Sequence, residues 1–454
     1  MMRVFTDIDE ARKTLLARVP ASEEELPERF RAGIRRIFGR DLSATGVAEA
    51  VCLAVQREGD AAVRHFSQEM DGVALDTFEV SPAMLTDALE RVPGAPRTAL
   101  EAAADRVRRF HEREHHDSWW THDGGDILGQ VIVPLERVGV YVPGGTAAYP
   151  SSLLMSVIPA KVAGVREIIV ATPPHAKGVP DVILAACAIA GADRVFTIGG
   201  AQAVAALAYG TESIPKVDMI VGPGNPFVAA AKRYVFGQVA IDQIAGPTET
   251  VVIADETANP AWVAADLIAQ AEHGETSSAI LLALTVSVAV AVDAELERQL
   301  ADLPRADVVR ASMAAHGGAV IVPDVETGVM LANAYAPEHL CLCVRDAWQY
   351  VGLVRNAGGV FVGEYSPEVL GDYIAGPSHI MPTGGTARFS SAMHVGDFLR
   401  TMSVIGLTPR TAATLAASAA TVAHAEGLDG HARAARIRAT TTDAATDTAS
   451  HTTE

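Results

Sequence analysis

A carboxylate and an imidazole stand side by side in this sequence, at Glu338 and His339. They follow Pro337, whose ring fixes φ, and precede an apolar run from Leu340 to Val344 that predicts a buried strand. An imidazole that is neutral near pH 7 can accept a proton, and a carboxylate can act as a base toward water. The alternative is an ordinary strand entry with a solvated glutamate and a hydrogen-bonded histidine. Two-residue motifs are common, so the pair alone leaves both interpretations open.

A second group of polar residues has the types that bind metal ions. Gln270 and His273 are three residues apart at the end of a helical pattern, and that spacing places both side chains on one face. Asp372 and His379 follow the last strand predicted in the second half of the chain. Such a set of nitrogen and oxygen ligands would suit zinc or a similar ion. The alternative for each residue is a buried polar group satisfied by hydrogen bonds, which is the commoner role of a single histidine.

Two more candidates, Glu426 and His431, lie in the C-terminal segment, after the predicted sheets. Three ligands from one module, Gln270, His273 and Asp372, would leave a zinc ion with fewer than the four protein ligands of a closed site. A short amphipathic segment with few large apolar residues has little core of its own, so we expect it to dock on another surface. The alternative is that this segment folds back on its own chain.

Glycine-rich turns follow several strands predicted in the first half of the chain. Glycine lets the backbone approach a phosphate, and each turn leads into a helix N-terminus, whose free N–H groups favour anions. The G-x-G-x-x-G fingerprint of dinucleotide-binding folds is absent at these turns. A bound dinucleotide and a ligand-free tight turn are therefore both open interpretations. The turns are Pro143-Gly144-Gly145, Gly199-Gly200-Ala201-Gln202 and Gly222-Pro223-Gly224-Asn225.

Composition narrows the class of protein. The 454 residues are 49% hydrophobic and 20% charged, which is typical of a globular protein, and their number indicates two or more domains. The net charge of −19, without a Lys/Arg cluster, argues against nucleic acid and anionic membranes as partners. No apolar run approaches the roughly 20 residues that a membrane span needs. The N-terminus lacks the pattern of a signal peptide, so we expect a cytoplasmic protein.

The four cysteines are Cys52, Cys187, Cys341 and Cys343, and they show no C-x-x-C spacing. Free thiols in a reducing compartment are the expected state. Cys341 and Cys343 are two residues apart on a predicted strand and therefore face the same side. A thiol nucleophile beside the Glu338–His339 pair is one interpretation, and a pair of buried structural cysteines is the one we favour.

Apolar strands alternate with helical patterns through most of the chain, which predicts parallel sheets covered by helices on both faces. Helical stretches in the first series end at Gly164, Gly191 and Gly210, each a predicted C-cap. The fold class is therefore α/β, with two doubly wound, Rossmann-like modules that meet near Gly246-Pro247 and small helical segments at both ends. The predicted strands are Val138–Val142, Glu167–Ala171, Arg194–Ile198 and Met219–Val221, then Val251–Ala254, Ala279–Leu284, Ala319–Val322, Leu340–Val344 and Gly359–Val362.

Six short motifs, in this order along the chain, resemble those of the histidinol dehydrogenase family. The similarity runs from about Val47 to His431. The resemblance implies a zinc-containing homodimer that oxidises L-histidinol to L-histidine through the aldehyde, with two NAD+, in histidine biosynthesis. The motifs are GPGN at 222–225, AGPTE at 245–249, AQAEHG at 269–274, NAYAPEHL at 333–340, GDYIAGPSHIMPT at 371–383 and EGLDGH at 426–431.

The same resemblance implies a role for each matching residue. Glu338 and His339 resemble the acid–base pair of the family. Thr248 stands where relatives often have serine and keeps the hydroxyl. The residues that resemble the zinc ligands are Gln270, His273, Asp372 and His431. Those that resemble substrate contacts are Thr248, His379 and Glu426, together with His339 and the four zinc ligands. Those that match NAD contacts are Tyr141, Gln202 and Asn225.

We expect these roles to be divided among segments, with one zinc ion per subunit and active sites shared between the two subunits of the homodimer. The C-terminal segment would carry Glu426 and His431 to the site of the partner. The predicted segments are an N-terminal helical segment (1–41), a zinc and substrate domain (42–137 and 247–393), an NAD-binding domain (138–246), a C-terminal helical dimerisation segment (394–439) and a disordered tail (440–454).

Two other classes of protein fit the same residues. One is a zinc hydrolase, in which Glu338 activates a metal-bound water and the glycine turns hold a phosphorylated substrate. The other is a noncatalytic nucleotide-binding regulatory protein. Formation of NADH from histidinol distinguishes the dehydrogenase from both alternatives.

Overall fold

The computed structural model describes residues 2–18, 26, 28–144, 148–175 and 178–447. Gly145 of the first predicted turn and residues 448–454 of the predicted tail lie outside this part of the chain. The chain divides into two compact units. Unit 1 comprises Met1–Glu114 and Leu135–Phe398, and unit 2 comprises His115–Pro134 and Leu399–Glu454.

The helices begin and end at ordinary sequence signals. Side chains such as Ser43, Ser81 and Asn259 accept hydrogen bonds from N–H groups of the first turn that have no partner within the helix. The described helices are α1 (Ile8–Lys13), α2 (Glu28–Phe38), α3 (Ala44–Glu58), α4 (Asp60–Phe66), α5 (Pro82–Arg91), α6 (Gly94–His111), α7 (Pro150–Ala163), α8 (Asp181–Ala190), α9 (Gly200–Tyr209), α10 (Pro226–Val235), α11 (Pro260–Ala271), α12 (Val286–Leu300), α13 (Ala306–His316), α14 (Val325–Tyr335), α15 (Glu368–Tyr373), α16 (Pro409–Ala425) and α17 (Asp429–Asp447).

Gly164, Gly191 and Gly210 follow α7, α8 and α9, and all three have positive φ, which confirms the predicted C-caps. Within the described ranges, no helix is long and apolar enough to cross a bilayer.

Nine of the described strands overlap the predicted apolar runs, and five, at residues 4–5, 119–123, 126–134, 240–241 and 399–406, were not predicted. The described strands are β1 (Val4–Phe5), β2 (Trp119–Asp123), β3 (Asp126–Pro134), β4 (Arg137–Tyr141), β5 (Glu167–Ala171), β6 (Arg194–Phe196), β7 (Met219–Val221), β8 (Ala240–Ile241), β9 (Glu249–Ala254), β10 (Ser278–Ala283), β11 (Gly318–Ile321), β12 (His339–Cys343), β13 (Gly359–Val362) and β14 (Leu399–Gly406).

Unit 1 contains two parallel sheets, which confirms the predicted α/β class. The first has the strand order β6-β5-β4-β7-β8 and the second the order β1-β11-β10-β9-β12-β13. Side chains alternate between the two faces of each sheet. In the second sheet, for example, Leu340 and Leu342 enter one apolar core, while Cys341 and Cys343 enter the core on the opposite face. Helices therefore cover both faces, as the uninterrupted apolar runs predict.

The predicted zinc and substrate domain differs from the structure in residues 42–137. Helices α3 and α4 contribute to the apolar core on one face of the first sheet, and α5 and α6 to the core on its other face. Helices α3 to α6 therefore pack with the first sheet, not with the second, and residues 115–134 belong to unit 2. The physical reason is that an amphipathic helix shows which of its faces is apolar but not which sheet that face will cover.

Both ends of the chain also differ from the predicted segments. Val4–Phe5 of the N-terminal segment pairs with β11, because two residues suffice to extend a sheet edge but are too few to produce a periodic pattern. In unit 2, β14 pairs antiparallel with β3, so the predicted helical segment 394–439 also contains a strand. Helix α17 reaches Asp447, and residues 440–447 are therefore helical where the sequence predicts disorder. Alanine-rich sequence supports such an extension by its helix propensity.

A buried ion pair fixes the end of the first sheet. Lys232 of α10 and Asp242, just after β8, form an ion pair and are 2% and 5% exposed. Lys232 Nζ also donates to the carbonyl oxygen of Gly222 at 2.9 Å, and Asp242 Oδ2 accepts from the N–H of Gly222 at 2.7 Å. A Cβ at Gly222 would lie 2.2 Å from the carbonyl oxygen of Tyr141, so this glycine permits a close approach of backbone to backbone.

We expect Lys232→Met to lower the free energy of unfolding by about 3–5 kcal/mol, because it leaves the carboxylate of Asp242 buried without its counter-charge. The matched control is Lys161→Met, which removes the more exposed ion pair with Asp193 and should cost no more than about 1 kcal/mol. Urea unfolding of both variants measures the difference. Equal losses in the two variants would show that burial of the Lys232–Asp242 pair does not increase its contribution to the free energy of unfolding.

Candidate active site

The Glu338–His339 pair lies at the amino end of β12, between two neighbouring strands. Helix α14 stops at Ala336, which adopts the left-handed conformation with φ of 55°. Pro337 then leads directly into the pair, and His339 lies opposite Thr250 of β9 and Gly359 of β13. The two side chains are 8% and 3% exposed, so the alternative of a solvated glutamate is wrong. The chain reversal at Ala336 is what turns both side chains into the protein.

A hydrogen-bond relay holds the carboxylate of Glu338. Its Oε2 accepts from the hydroxyl of Thr248 and, at 3.1 Å, from the N–H of Glu249. Because the hydroxyl proton of Thr248 is used in this way, its oxygen accepts from Nε2 of Gln270. The amide of Gln270 is thereby oriented, and its Oε1 is left for another partner. Burial raises the pKa of Glu338 to about 7, although His339 and these hydrogen bonds oppose the rise.

His339 is held through one ring nitrogen. Its Nδ1 lies 3.2 Å from the carbonyl oxygen of Glu249, which can only accept, so Nδ1 carries the proton. The other nitrogen, Nε2, is buried without a hydrogen bond, and Oδ1 of Asp372 is 3.8 Å away. A donor or acceptor on a bound molecule would satisfy this nitrogen.

Three carboxylates determine the charge of His339. Burial lowers its pKa, but the negative charges of Glu338, Glu368 and Asp372 have a larger, opposite effect and raise the pKa to about 10. The carboxylates alone therefore favour the protonated ring, and the neutral imidazole expected near pH 7 stays a prediction. An additional positive charge near the carboxylates would be needed to favour the neutral ring.

Glu368 is a member of the site that sequence reasoning missed. It is 1% exposed, accepts from the hydroxyl of Thr250 and from Sγ of Cys341 at 3.1 Å, and its Oε2 is 4.0 Å from Nδ1 of His339. Burial raises the pKa of this carboxyl. A glutamate after Pro367 in the first turn of α15 is an ordinary helix start. Only the fold, which places α15 beneath β12, distinguishes it.

The predicted metal ligands of unit 1 approach the pair from α11 and α15. Gln270 lies in the last turn of α11, and His273 follows the end of that helix, where its N–H donates to the carbonyl oxygen of Gln270 at 3.3 Å. Asp372 lies in α15, and the nearby histidines His339, His379 and His273 keep its pKa low in spite of burial. Among the described residues there is no group of three or more His, Cys, Asp or Glu side chains that could hold a metal ion. The predicted set includes only two such residues in unit 1, His273 and Asp372, and Gln270 would supply the third ligand.

His379 connects the site to the helices of the first sheet. Its Nδ1 donates to the carbonyl oxygen of Asp372 at 2.6 Å, so its Nε2 accepts from the hydroxyl of Ser152 in α7 at 3.2 Å. Burial lowers the pKa of His379. Ser152 is a second residue that sequence reasoning missed, because a serine in a first helical turn carries no distinguishing pattern.

The predicted NAD contacts lie at the carboxyl ends of strands in the first sheet. The hydroxyl of Tyr141, the last residue of β4, accepts from the N–H of Gly200 at 3.1 Å. Gln202 in α9 donates to Asp71 at 3.1 Å, and its Oε1 is buried without a partner. Asn225 caps α10, where its Oδ1 accepts from the first N–H groups. The structure thus brings Tyr141 and Gln202 together around one glycine turn and places Asn225 at a neighbouring turn.

Glu426 and His431 belong to unit 2. Glu426 is the C-cap residue of α16, His431 lies in the first turn of α17, and both are exposed. The geometry of unit 1 does not test the roles predicted for Glu426 and His431, which stay predictions.

The two parallel sheets, covered by helices on both faces, define an α/β protein, and the buried Glu338–His339 pair marks its candidate active site. A family model described as histidinol dehydrogenase matches residues 39–439. The histidinol dehydrogenase of Thermus thermophilus is 51% identical over 415 residues, which cover 91% of this chain and 98% of that protein. The enzyme of the same name from Moorella thermoacetica is 50% identical over 411 residues, 89% of this chain and 97% of its own. The chain belongs to the histidinol dehydrogenase family.

A solved structure supports the same assignment. The crystal structure of histidinol dehydrogenase from Elizabethkingia anophelis superposes with a TM-score of 0.88 at 31% sequence identity, covering 97% of this chain and 99% of that one. The protein is accordingly a dehydrogenase of histidine biosynthesis, as the sequence motifs imply.

We expect Cys341 and Cys343 to resist alkylation in the folded protein. Both are buried, and burial raises the pKa of Cys343 to about 12 and that of Cys341 well above its ordinary value, so neither forms a reactive thiolate near neutral pH. Mass spectrometry after iodoacetamide treatment, with and without urea, measures the modification. Rapid labelling of Cys341 without urea would restore the thiol-nucleophile interpretation.

Proposed function

We propose that the protein oxidises L-histidinol to L-histidine through histidinaldehyde, with reduction of two NAD+ and with one zinc ion per subunit. The observation that carries this proposal is the buried Glu338–His339 pair, connected by the relay through Thr248 to the amide of Gln270. Such a pair offers two proton acceptors in one water-poor site, and oxidation of an alcohol to an acid uses both.

The residues at the site fit a zinc ion. The relay directs Nε2 of Gln270 toward Thr248, so Oε1 is left as a ligand. Asp372 keeps a low pKa beside His273 and His379, which is the state a metal ligand requires. Gln270, His273 and Asp372 would hold the ion, with His431 as the fourth ligand. When bound, zinc would supply a template for the imidazole and amine nitrogens of the substrate and a positive charge beside Asp372.

The first oxidation needs a proton acceptor on the alcohol oxygen. A positive charge beside Asp372 would offset part of the carboxylate charge that raises the pKa of His339, to which Glu338 and Glu368 contribute more. In the neutral ring, Nε2 of His339, which has no hydrogen-bond partner among the described residues, can take the hydroxyl proton while the carbon transfers hydride to NAD+. The products of this step are the aldehyde, NADH and a proton on His339.

The second oxidation begins with addition of water to the aldehyde. Glu338 has a pKa of about 7 and is therefore partly ionised near neutral pH, which suits a general base toward that water. The resulting hydrate transfers a second hydride to another NAD+ and leaves the carboxylic acid. Tyr141 and Gln202 would contact each NAD at the glycine turn, with Asn225 at the neighbouring turn.

Steady-state assays with histidinol and NAD+ test this function directly. Two NADH are expected per histidinol consumed, together with stoichiometric zinc in the purified protein and lower zinc content in His273→Ala. A zinc hydrolase would contain zinc but release no NADH from histidinol. A regulatory protein would bind nucleotide without turnover.

We propose that the partner of unit 2 is a second copy of the chain. Unit 2 exposes large apolar side chains on its antiparallel sheet, among them Trp119, Trp120 and Ile405, which are 51%, 53% and 72% exposed. Apolar surface of this kind marks an interaction site. A twofold dimer would cover this surface in both subunits and would carry Glu426 and His431 to the site of the partner.

Glu338→Gln should lower aldehyde oxidation about a hundredfold or more and alcohol oxidation much less, because only the aldehyde step needs an activated water. His339→Asn should lower the alcohol step strongly. Separate assays with histidinol and with histidinaldehyde measure the two steps. Equal losses on both substrates for Glu338→Gln would contradict this division of roles.

Mixed dimers test the shared site. When inactive His339→Asn and His431→Asn subunits exchange, one site of each mixed dimer receives both defects and the other receives none. We therefore expect about half the normal activity per mixed dimer. If the C-terminal segment folds back on its own chain, every site keeps one defect and mixing restores no activity.

A further inference from the structure

The side chain of Arg18 reaches the residues that surround the Glu338–His339 pair. Its Nη1 and Nη2 donate to the two carboxylate oxygens of Glu249, the second at 2.9 Å. Nε and Nη2 donate to the carbonyl oxygen of Tyr335 at 3.1 and 2.7 Å, and Nη2 to that of Ala336 at 3.2 Å. The guanidinium also lies 3.7 Å from the ring centroid of Tyr335. A planar group with several fixed donors can make all these contacts at once, and an ammonium cannot.

The contacts of Arg18 converge on the backbone that positions the pair. The N–H of Glu249 donates to Glu338, and the carbonyl oxygen of Glu249 accepts from His339, so one residue holds both side chains. Ala336 adopts the left-handed conformation, which disfavours residues other than glycine, and it lies two residues before Glu338. The surroundings must hold such a residue in place.

We propose that Arg18 is a positioning residue for the reaction: by joining Glu249 to the Ala336 turn, it keeps the hydrogen bonds to Glu338 and His339 in register. This inference rests on the proposed function for its kinetic consequence. Arg18 itself contacts neither member of the pair. Its effect passes through Glu249 on β9 and through the turn before β12. Strands β9 and β12 are neighbours in the second sheet.

Arg3 offers a matched control on the same N-terminal segment. It donates to the carbonyl oxygens of Ala315 at 3.2 Å and Gly317 at 3.3 Å, just before strand β11. Arg3→Met therefore removes backbone contacts of an arginine without touching Glu249 or the Ala336 turn. Arg18→Met removes the guanidinium, and Arg18→Lys keeps a charge near Glu249 but loses the planar donors.

The kinetic test compares the three variants at a temperature where circular dichroism shows each to be folded. We expect Arg18→Met to lower kcat on histidinol at least tenfold, with KM for histidinol and for NAD+ within about threefold, because the reacting groups are displaced and the binding residues are not. Arg18→Lys should recover part of kcat, and Arg3→Met should match the wild type. A kcat for Arg18→Met within twofold of that of Arg3→Met would overturn the proposal.

A spectroscopic test separates this inference from the proposed function. The Nδ1 proton of His339, hydrogen-bonded to Glu249, should give a protected imidazole resonance in nitrogen-15 spectra, assigned by its loss in His339→Asn. We expect this resonance in the wild type and in Arg3→Met, and its shift or exchange broadening in Arg18→Met. An unchanged resonance in Arg18→Met would overturn the positioning role even if the protein oxidises histidinol. A wild-type protein that forms no NADH would overturn the proposed function, whatever the resonance shows.

Discussion

The buried charge of Glu338 is the constraint on which the rest of the site depends. A carboxylate removed from water costs several kcal/mol unless hydrogen bonds and nearby charge replace its hydration. Thr248, the N–H of Glu249 and the imidazole of His339 supply that replacement. Each of them comes from β9, β12 or the residue just before β9, so the hydration of Glu338 is replaced only when these two strands pair in their observed register. The pairing of β9 with β12 is therefore needed both for the fold and for an ionised Glu338.

The same dependence connects the two halves of unit 1. Asp242, just after the last strand of the first sheet, is held by Lys232, and the next residue, Gln243, donates to the carbonyl oxygen of Met381 at 2.7 Å. Gly246 then donates to Thr383 just before Thr248 enters the site. The chain that leaves the first sheet is therefore fixed along its course to the second. A second connection between the two halves is His379, which bonds to the hydroxyl of Ser152 in α7 and to the carbonyl oxygen of Asp372.

Local pattern predicted nine of the described strands and the helix caps, because these depend on periodicity and on residues adjacent in sequence. It also singled out Glu338 and His339, whose catalytic roles stay predictions. It could not predict that α3 to α6 pack on the first sheet, since an apolar helix face does not specify its partner. Local pattern also did not identify Glu368 and Arg18, for a related reason. Each is an ordinary charged residue in its own segment, and each acquires a role only from groups that are distant in sequence, such as His339 for Glu368 and Glu249 for Arg18. The carboxylates that raise the pKa of His339 are its neighbour Glu338 and two residues of α15, Glu368 and Asp372, and only the fold brings α15 to the pair.

The pairing of β1 with β11 has a consequence for the order in which the chain folds. Val4 lies opposite Ala319, so the second sheet gains its edge strand only after more than three hundred further residues have been synthesised. Contacts between such distant residues form late, because closing a long loop costs entropy before the contact is made. During synthesis the first sheet, whose strands all lie within β4 to β8, can assemble while the N-terminal segment is still unpaired. Val4 and Phe5 are thus synthesised early but are among the last of the described residues to reach their places.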